Sequence, residues 1–245
     1  MTQISRASIA AAALLSLAGA ASVQAEDVLF SFNFQNLNGQ YNAGSQQFSA
    51  NADSALSQIN SVGTVNRNIA GAPLNSYFDA GFVAGADPSN FQLGMTVSNI
   101  LGTAASGNGS FAITDADGDV LTGTVSGDRT LGLGFFQFGN FVRFFGELSN
   151  VVFTPSGGGT TFNGPSGGSF DFTSIPGGPI YSGALVQLFI YTGGGGFTSG
   201  SWGYNPTTQT GTPIPVGLNA ELVPAPGAAA LLGLGGVIVG RRRRR

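Results

Sequence analysis

The densest group of chemically capable side chains is Asp115-Ala116-Asp117-Gly118-Asp119, with carboxylates at alternate positions. Asp115, Asp117 and Asp119 could aim several oxygens at one point, and calcium takes about six to eight oxygen ligands. An EF-hand frame does not fit: Gly118 falls at the fourth loop position instead of the sixth, and Ser126 stands where a bidentate Glu belongs. The same residues also read as a hairpin turn. Strand-like Phe111-Ala112-Ile113-Thr114 precedes them, Val120 to Val125 follows, and Asp-Gly tolerates positive φ. The turn and a weak calcium site are compatible, and calcium is the one cofactor the sequence suggests.

Most other chemistries lack their parts. The 245 residues include no His and no Cys, and all nine basic residues are Arg. Imidazole acid/base work, thiol nucleophiles, thiolate or imidazole zinc sites and disulfides are thereby excluded. Paired carboxylates could hydrolyse glycosides if one pKa were raised, but the Glu residues are only Glu26, Glu147 and Glu221. Glu147 follows a Phe-rich run and reads as a strand end in solvent. No catalytic residue is expected, and the chain does not read as an enzyme. Gly-rich stretches such as 156–159, 164–168 and 193–196 are connectors, because a phosphate-binding loop needs a Lys. Tyr181, Tyr191, Trp202 and Tyr204 lie near such loops; they fit either core packing or stacking on sugar rings. Asp128 and Arg129 read as a solvated turn.

The body between the ends is built of short runs rich in Phe, Val, Ile and Thr, bounded by Gly, Asn, Pro or Ser. In Leu29-Phe30-Ser31-Phe32-Asn33-Phe34 the rings fall on one face, as alternation in a half-buried strand requires. Phe135-Phe136-Gln137-Phe138 and Phe141-Val142-Arg143-Phe144-Phe145 alternate less cleanly, which suggests central strands covered on both faces. The pattern predicts an all-β fold, an antiparallel β-sandwich of jelly-roll type. A short helix is plausible only over Gln46 to Val62, where Ala52, Ala55, Leu56 and Ile59 recur at helical spacing. Thr212-Pro213-Ile214-Pro215 reads as the exit from the domain.

The charge distribution separates this body from its ends. Positions 26 to 224 hold three Arg and all twelve acids, a formal charge of −9. Such a body offers no footprint for nucleic acid, which needs clustered cations. Residues 1–25 run from Arg6 through an uncharged apolar stretch, Ala7 to Ser22, to Val23-Gln24-Ala25. That order is a signal peptide, predicted to form a helix and to be cut after Ala25. At the other end, Ala228 to Gly240 is uncharged and precedes Arg241, Arg242, Arg243, Arg244 and Arg245. As a helix this stretch spans about 20 Å, short of a hydrocarbon core of about 30 Å. The Arg cluster would stay on the cytoplasmic side and hold the chain transiently in the inner membrane.

Pro224-Ala225-Pro226, the apolar stretch and the Arg cluster, paired with a signal peptide, resemble the PEP-CTERM sorting signal of bacterial envelope proteins. Ala225 stands where that family usually has Glu. The resemblance covers residues 224–245 and implies a partner, an exosortase-type membrane protease that cuts near the Pro-x-Pro motif and passes the protein to the surface. The expected organisation is a signal peptide (1–25), a secreted β-rich domain (26–215), a linker (216–223) and a C-terminal sorting signal (224–245). The expected function is that of a non-catalytic secreted envelope or extracellular-matrix protein associated with exopolysaccharide. The alternative is a calcium-dependent, lectin-like carbohydrate-binding module.

Overall fold

The computed structural model describes residues 28–52, 60–68, 74–79, 90–157, 159–172, 180–192, 196–198, 200–204 and 210–223. The signal helix and the sorting helix expected at the two ends lie outside these residues. So do Pro224, Ala225, Pro226 and the five terminal Arg.

Strand β1 (Phe30–Asn42) organises the fold, because both of its edges are occupied along most of its length. It turns at Asn42 to Gln47 into β2 (Gln47–Asn51), which pairs with β5 (Asn90–Leu101). From there the chain runs as a meander through β6 (Ala104–Thr114), β7 (Val120–Gly127), β9 (Phe141–Thr154), β12 (Ile180–Tyr191) and β14 (Ile214–Val223). Strand β14 then pairs with β1 from Phe30↔Leu222 to Gly39↔Ile214. Eight antiparallel strands thus close into a barrel in chain order. Strands β3 (Val62–Arg67) and β4 (Leu74–Phe78) extend the sheet from β1, and β8 (Gly134–Phe138) lies against β6 and β9. Strands β10 (Thr161–Asn163) and β11 (Ser169–Asp171) form a separate hairpin, and β13 (Trp202–Gly203) borders β1.

The all-β expectation holds, while the jelly-roll sandwich does not describe what is seen. A jelly roll exchanges strands between two sheets through long crossovers, whereas here ring neighbours follow one another and the first strand meets the last. Curvature is supplied at register shifts. Asn36 and Asn150 carry φ of 55° and 51°, and they sit where β1 slips against β14 and β7 against β9. An asparagine adopts this left-handed conformation more readily than a branched residue, and the bulge it makes bends the strand.

Two further expectations are corrected. Residues 216–223, expected as a linker, are most of β14, because Val216, Leu218, Ala220 and Leu222 alternate into the core between β1 and β12. The β-rich domain therefore runs through residue 223 without an exit at Pro215. Within the helix expected over 46–62, residues 47–51 are strand β2, where Phe48 and Ala50 alternate inward and tertiary pairing overrides helical spacing. Residues 53–59 lie outside the described residues.

The interior is filled by rings. Phe32, Phe34, Phe91, Phe111 and Phe144 point inward from four strands and are buried. Phe34 meets Phe91 at 4.7 Å between centroids and Phe32 meets Phe111 at 5.2 Å. Glycines make the space: a Cβ on Gly123 would stand 2.5 Å from the Phe111 ring, and one on Gly146 2.4 Å from Phe144. One pole, where Leu29 and Leu222 bring the described ends together, is stoppered by the β10–β11 hairpin. There Phe162, Phe170 and Phe172 pack on Phe30, Phe78 and Phe153. The opposite pole is closed by Tyr41, Phe48, Phe135, Phe197 and Trp202. Outward positions carry residues such as Gln92, Thr96, Thr122, Gln187 and Asn219. A lipid-embedded barrel has the reverse arrangement, with an apolar band outside.

Candidate functional site

The acidic loop joins β6 to β7 at the stoppered pole, and its geometry is that of a pin. Asp115 is fully buried. Its Oδ1 accepts from the backbone N–H groups of Asp117 and Asp119 at 3.0 and 2.8 Å, and its Oδ2 from that of Asn163 at 2.8 Å. Asp119 Oδ1 accepts from Ser156 N–H at 2.6 Å and from its hydroxyl at 3.1 Å. Asp117 Oδ2 takes the Asn163 side-chain amide at 2.6 Å. Ala116 N–H returns a bond to Asn163 carbonyl at 3.0 Å. The three carboxylates thus tie the loop to β10 and to the chain after β9. Burial pushes the Asp115 carboxyl above its ordinary pKa, with the negative charges of Asp117 and Asp119 adding to the effect and the N–H groups of Asn163 and Asp119 opposing it. Gly118, at φ 90°, makes the turn. Among the described residues no group of three acidic side chains is arranged to hold a metal ion. Four of the six oxygens proposed for calcium accept from protein donors.

The other expected residues fall in different places. Glu147 is exposed but sits mid-strand in β9, not at its end. Asp128 caps a single 3-10 turn (Arg129–Leu131), and hydrogen bonding from Thr130 N–H holds its carboxyl below the usual range. Arg129 reaches Asn99 carbonyl at 2.5 Å. Trp202 is half-buried against Tyr41, Phe48 and Phe197, so it packs. Its indole N–H has no acceptor among the described residues. Tyr191 is exposed and stands edge-on to Phe141 at 5.1 Å.

Tyr191 leads to a feature that sequence reading missed. The expectation that Phe135–Phe138 and Phe141–Phe145 are covered on both faces is wrong on one side. Phe144 points into the core, while Phe141, Phe145 and Phe138 face outward, Phe138 being 58% exposed. Across the sheet, register aligns Phe145, Gln187, Asn219 and Asn33 in one row, and Arg143, Phe189 and Gly217 in the next. Gly217 has no side chain, and a Cβ there would meet nothing nearer than 4.0 Å. The result is an open trough of about 410 Å3 over β9, β12, β14 and β1. Phe189, 42% exposed, stacks obliquely on Phe141 at 4.8 Å. The Arg143 guanidinium lies 5.4 Å above the Phe189 ring and 6.0 Å from that of Phe138. Asn33 donates its amide to Asn219 Oδ1. The only sequence signal for this trough was the run of apolar residues at both parities in β8 and β9. No protein-family model matches the chain, and no curated protein or solved structure matches it.

Proposed function

We propose that the chain is a non-catalytic, secreted component of the cell envelope or extracellular matrix, whose barrel associates with exopolysaccharide. The observation that carries this reading is the division between interior and surface. The barrel is packed with phenylalanine and stoppered at both poles, so recognition must use the outside, and the outside offers an aromatic and amide trough. No described carboxylate is paired across a cleft as glycoside hydrolysis would require. Export rests on the sequence: a signal peptide over 1–25, and a tail over 224–245 to be cut by an exosortase-type protease near Pro224 to Pro226 after brief residence in the inner membrane. Strand β14 ends at Val223, so the tail begins where the last barrel strand stops. The calcium-dependent, lectin-like reading has less behind it, because Asp115 and Asp119 spend their oxygens on Asn163, Ser156 and the loop itself.

Intact mass of protein released from the cell surface tests the proposal. The expected species starts at Glu26 and lacks Arg241 to Arg245. An intact chain recovered from the cytoplasm overturns it.

A further inference from the structure

We propose that the trough over β9, β12, β14 and β1 binds an uncharged polysaccharide chain, with a sugar ring seated above Gly217 against Phe189. This deepens the reading just given and rests on it, by assigning the ligand class and the face.

The shape comes first. Four neighbouring strands span about 14 Å at the usual strand spacing, enough for a short run of linked sugars laid across them. The missing side chain at Gly217 gives the floor, Phe189 forms one wall, and Phe141 and Tyr191 continue the aromatic surface toward the pole. Aromatic faces take the apolar C–H side of a sugar ring. The polar complement matches as well. A hydroxyl both donates and accepts, and so does a side-chain amide. Gln187, Asn219 and Asn33 supply three amides in one row. The bond from Asn33 to Asn219 Oδ1 leaves the Asn219 amide nitrogen and the Asn33 side-chain oxygen without a hydrogen-bond partner among the described residues. Arg143 makes no ion pair or hydrogen bond among the described residues and rests over two rings. Its N–H fork is available to ring and hydroxyl oxygens.

Charge narrows the ligand. Among the described residues Arg143 is the one cation of the trough, and Glu147 and Glu221 lie on the same outward face. A polyanion would meet an acidic body of formal charge −9 with a single guanidinium to neutralise it, whereas an uncharged chain meets no such penalty.

Affinity electrophoresis of the mature chain through gels containing hydroxyethyl cellulose, soluble starch, galactomannan or polygalacturonate tests the proposal. Retardation is expected in at least one of the three neutral gels. Gly217→Leu fills the floor where the structure has space, and Arg143→Ala and Phe189→Ala remove the cation and the wall. Each should weaken retention about tenfold or more while the melting temperature stays at the wild-type value. No retardation in any neutral gel, retention confined to polygalacturonate, retention unchanged by Gly217→Leu, or concentration-dependent dimerisation lost in Gly217→Leu would each overturn it. The intact-mass measurement is separate, so a misassigned ligand and a misassigned destination give different failures.

Discussion

The acidic loop and the outer trough are two places where polar side chains gather, and they use their polarity in opposite ways. At the loop, Asp115 receives three backbone N–H groups and Asp119 two donors from Ser156. Asp115 and Asp119 are buried, so these bonds offset the desolvation of their carboxylates, and the cluster's output is fixed geometry. At the trough, Arg143 and Gln187 are exposed and spend little on the protein itself. A concentration of acids in a sequence is thus no guide to function until its donors are counted. Unspent donors beside exposed rings are the stronger sign of a surface that meets something else.

Perturbing the stopper should give the largest effect. Phe162 is fully buried and packs on Phe78, Phe153, Phe170 and Phe172. Phe162→Ala should cost about 3–5 kcal/mol in chemical denaturation. Asp115→Ala strands three N–H groups and should cost about 3 kcal/mol, with sugar retention in the gel unchanged. Loss of retention at unaltered stability in that variant would erase the contrast between the two regions.

Acidity sharpens the same contrast. Because burial raises the folded pKa of Asp115, the folded state holds that proton more tightly than the unfolded chain. The contribution of Asp115 to stability is therefore greatest below the ordinary carboxylate pKa of about 3.9 and declines as pH rises through the folded value. Denaturation curves from pH 3 to 7 for wild type and Asp115→Asn should diverge in that sense, the wild type losing ground as pH rises. A parallel pair of curves would show that Asp115 titrates normally. The smallest effect is expected at Asn150, whose φ of 51° is left-handed. Asn150→Val should cost about 1–2 kcal/mol and Asn150→Gly little, both read by thermal melting.

Sequence carried the strands well and their arrangement poorly. Phe30, Phe32 and Phe34 alternate so plainly that their inward placement could be read directly. Closure could not, because it depends on Phe30 meeting Leu222 across most of the chain, and alternation says nothing about partners. Pro213 and Pro215 suggested an exit, yet the barrel admits Pro215 opposite Asn38 near the start of β14. The acidic turn was legible as a turn, since Asp-Gly is a local signal; that Asn163 and Ser156 would complete it was not. The trough was least legible of all. Arg143, Gln187, Gly217 and Asn33 come from four strands, and only register sets them side by side.

Pairing the first strand with the last also governs how this molecule comes into being. Until β14 arrives, β1 and β12 each present an unpaired edge, and such edges recruit other chains. Most of the ring's contacts can form in passing, but the seam can form only once the residues at 214–223 are present. Loop closure over that separation is slow relative to hairpin formation. Truncation within β14 would leave a sheet with two sticky margins, so aggregation, more than a smaller folded product, is the expected fate of chains that stop early.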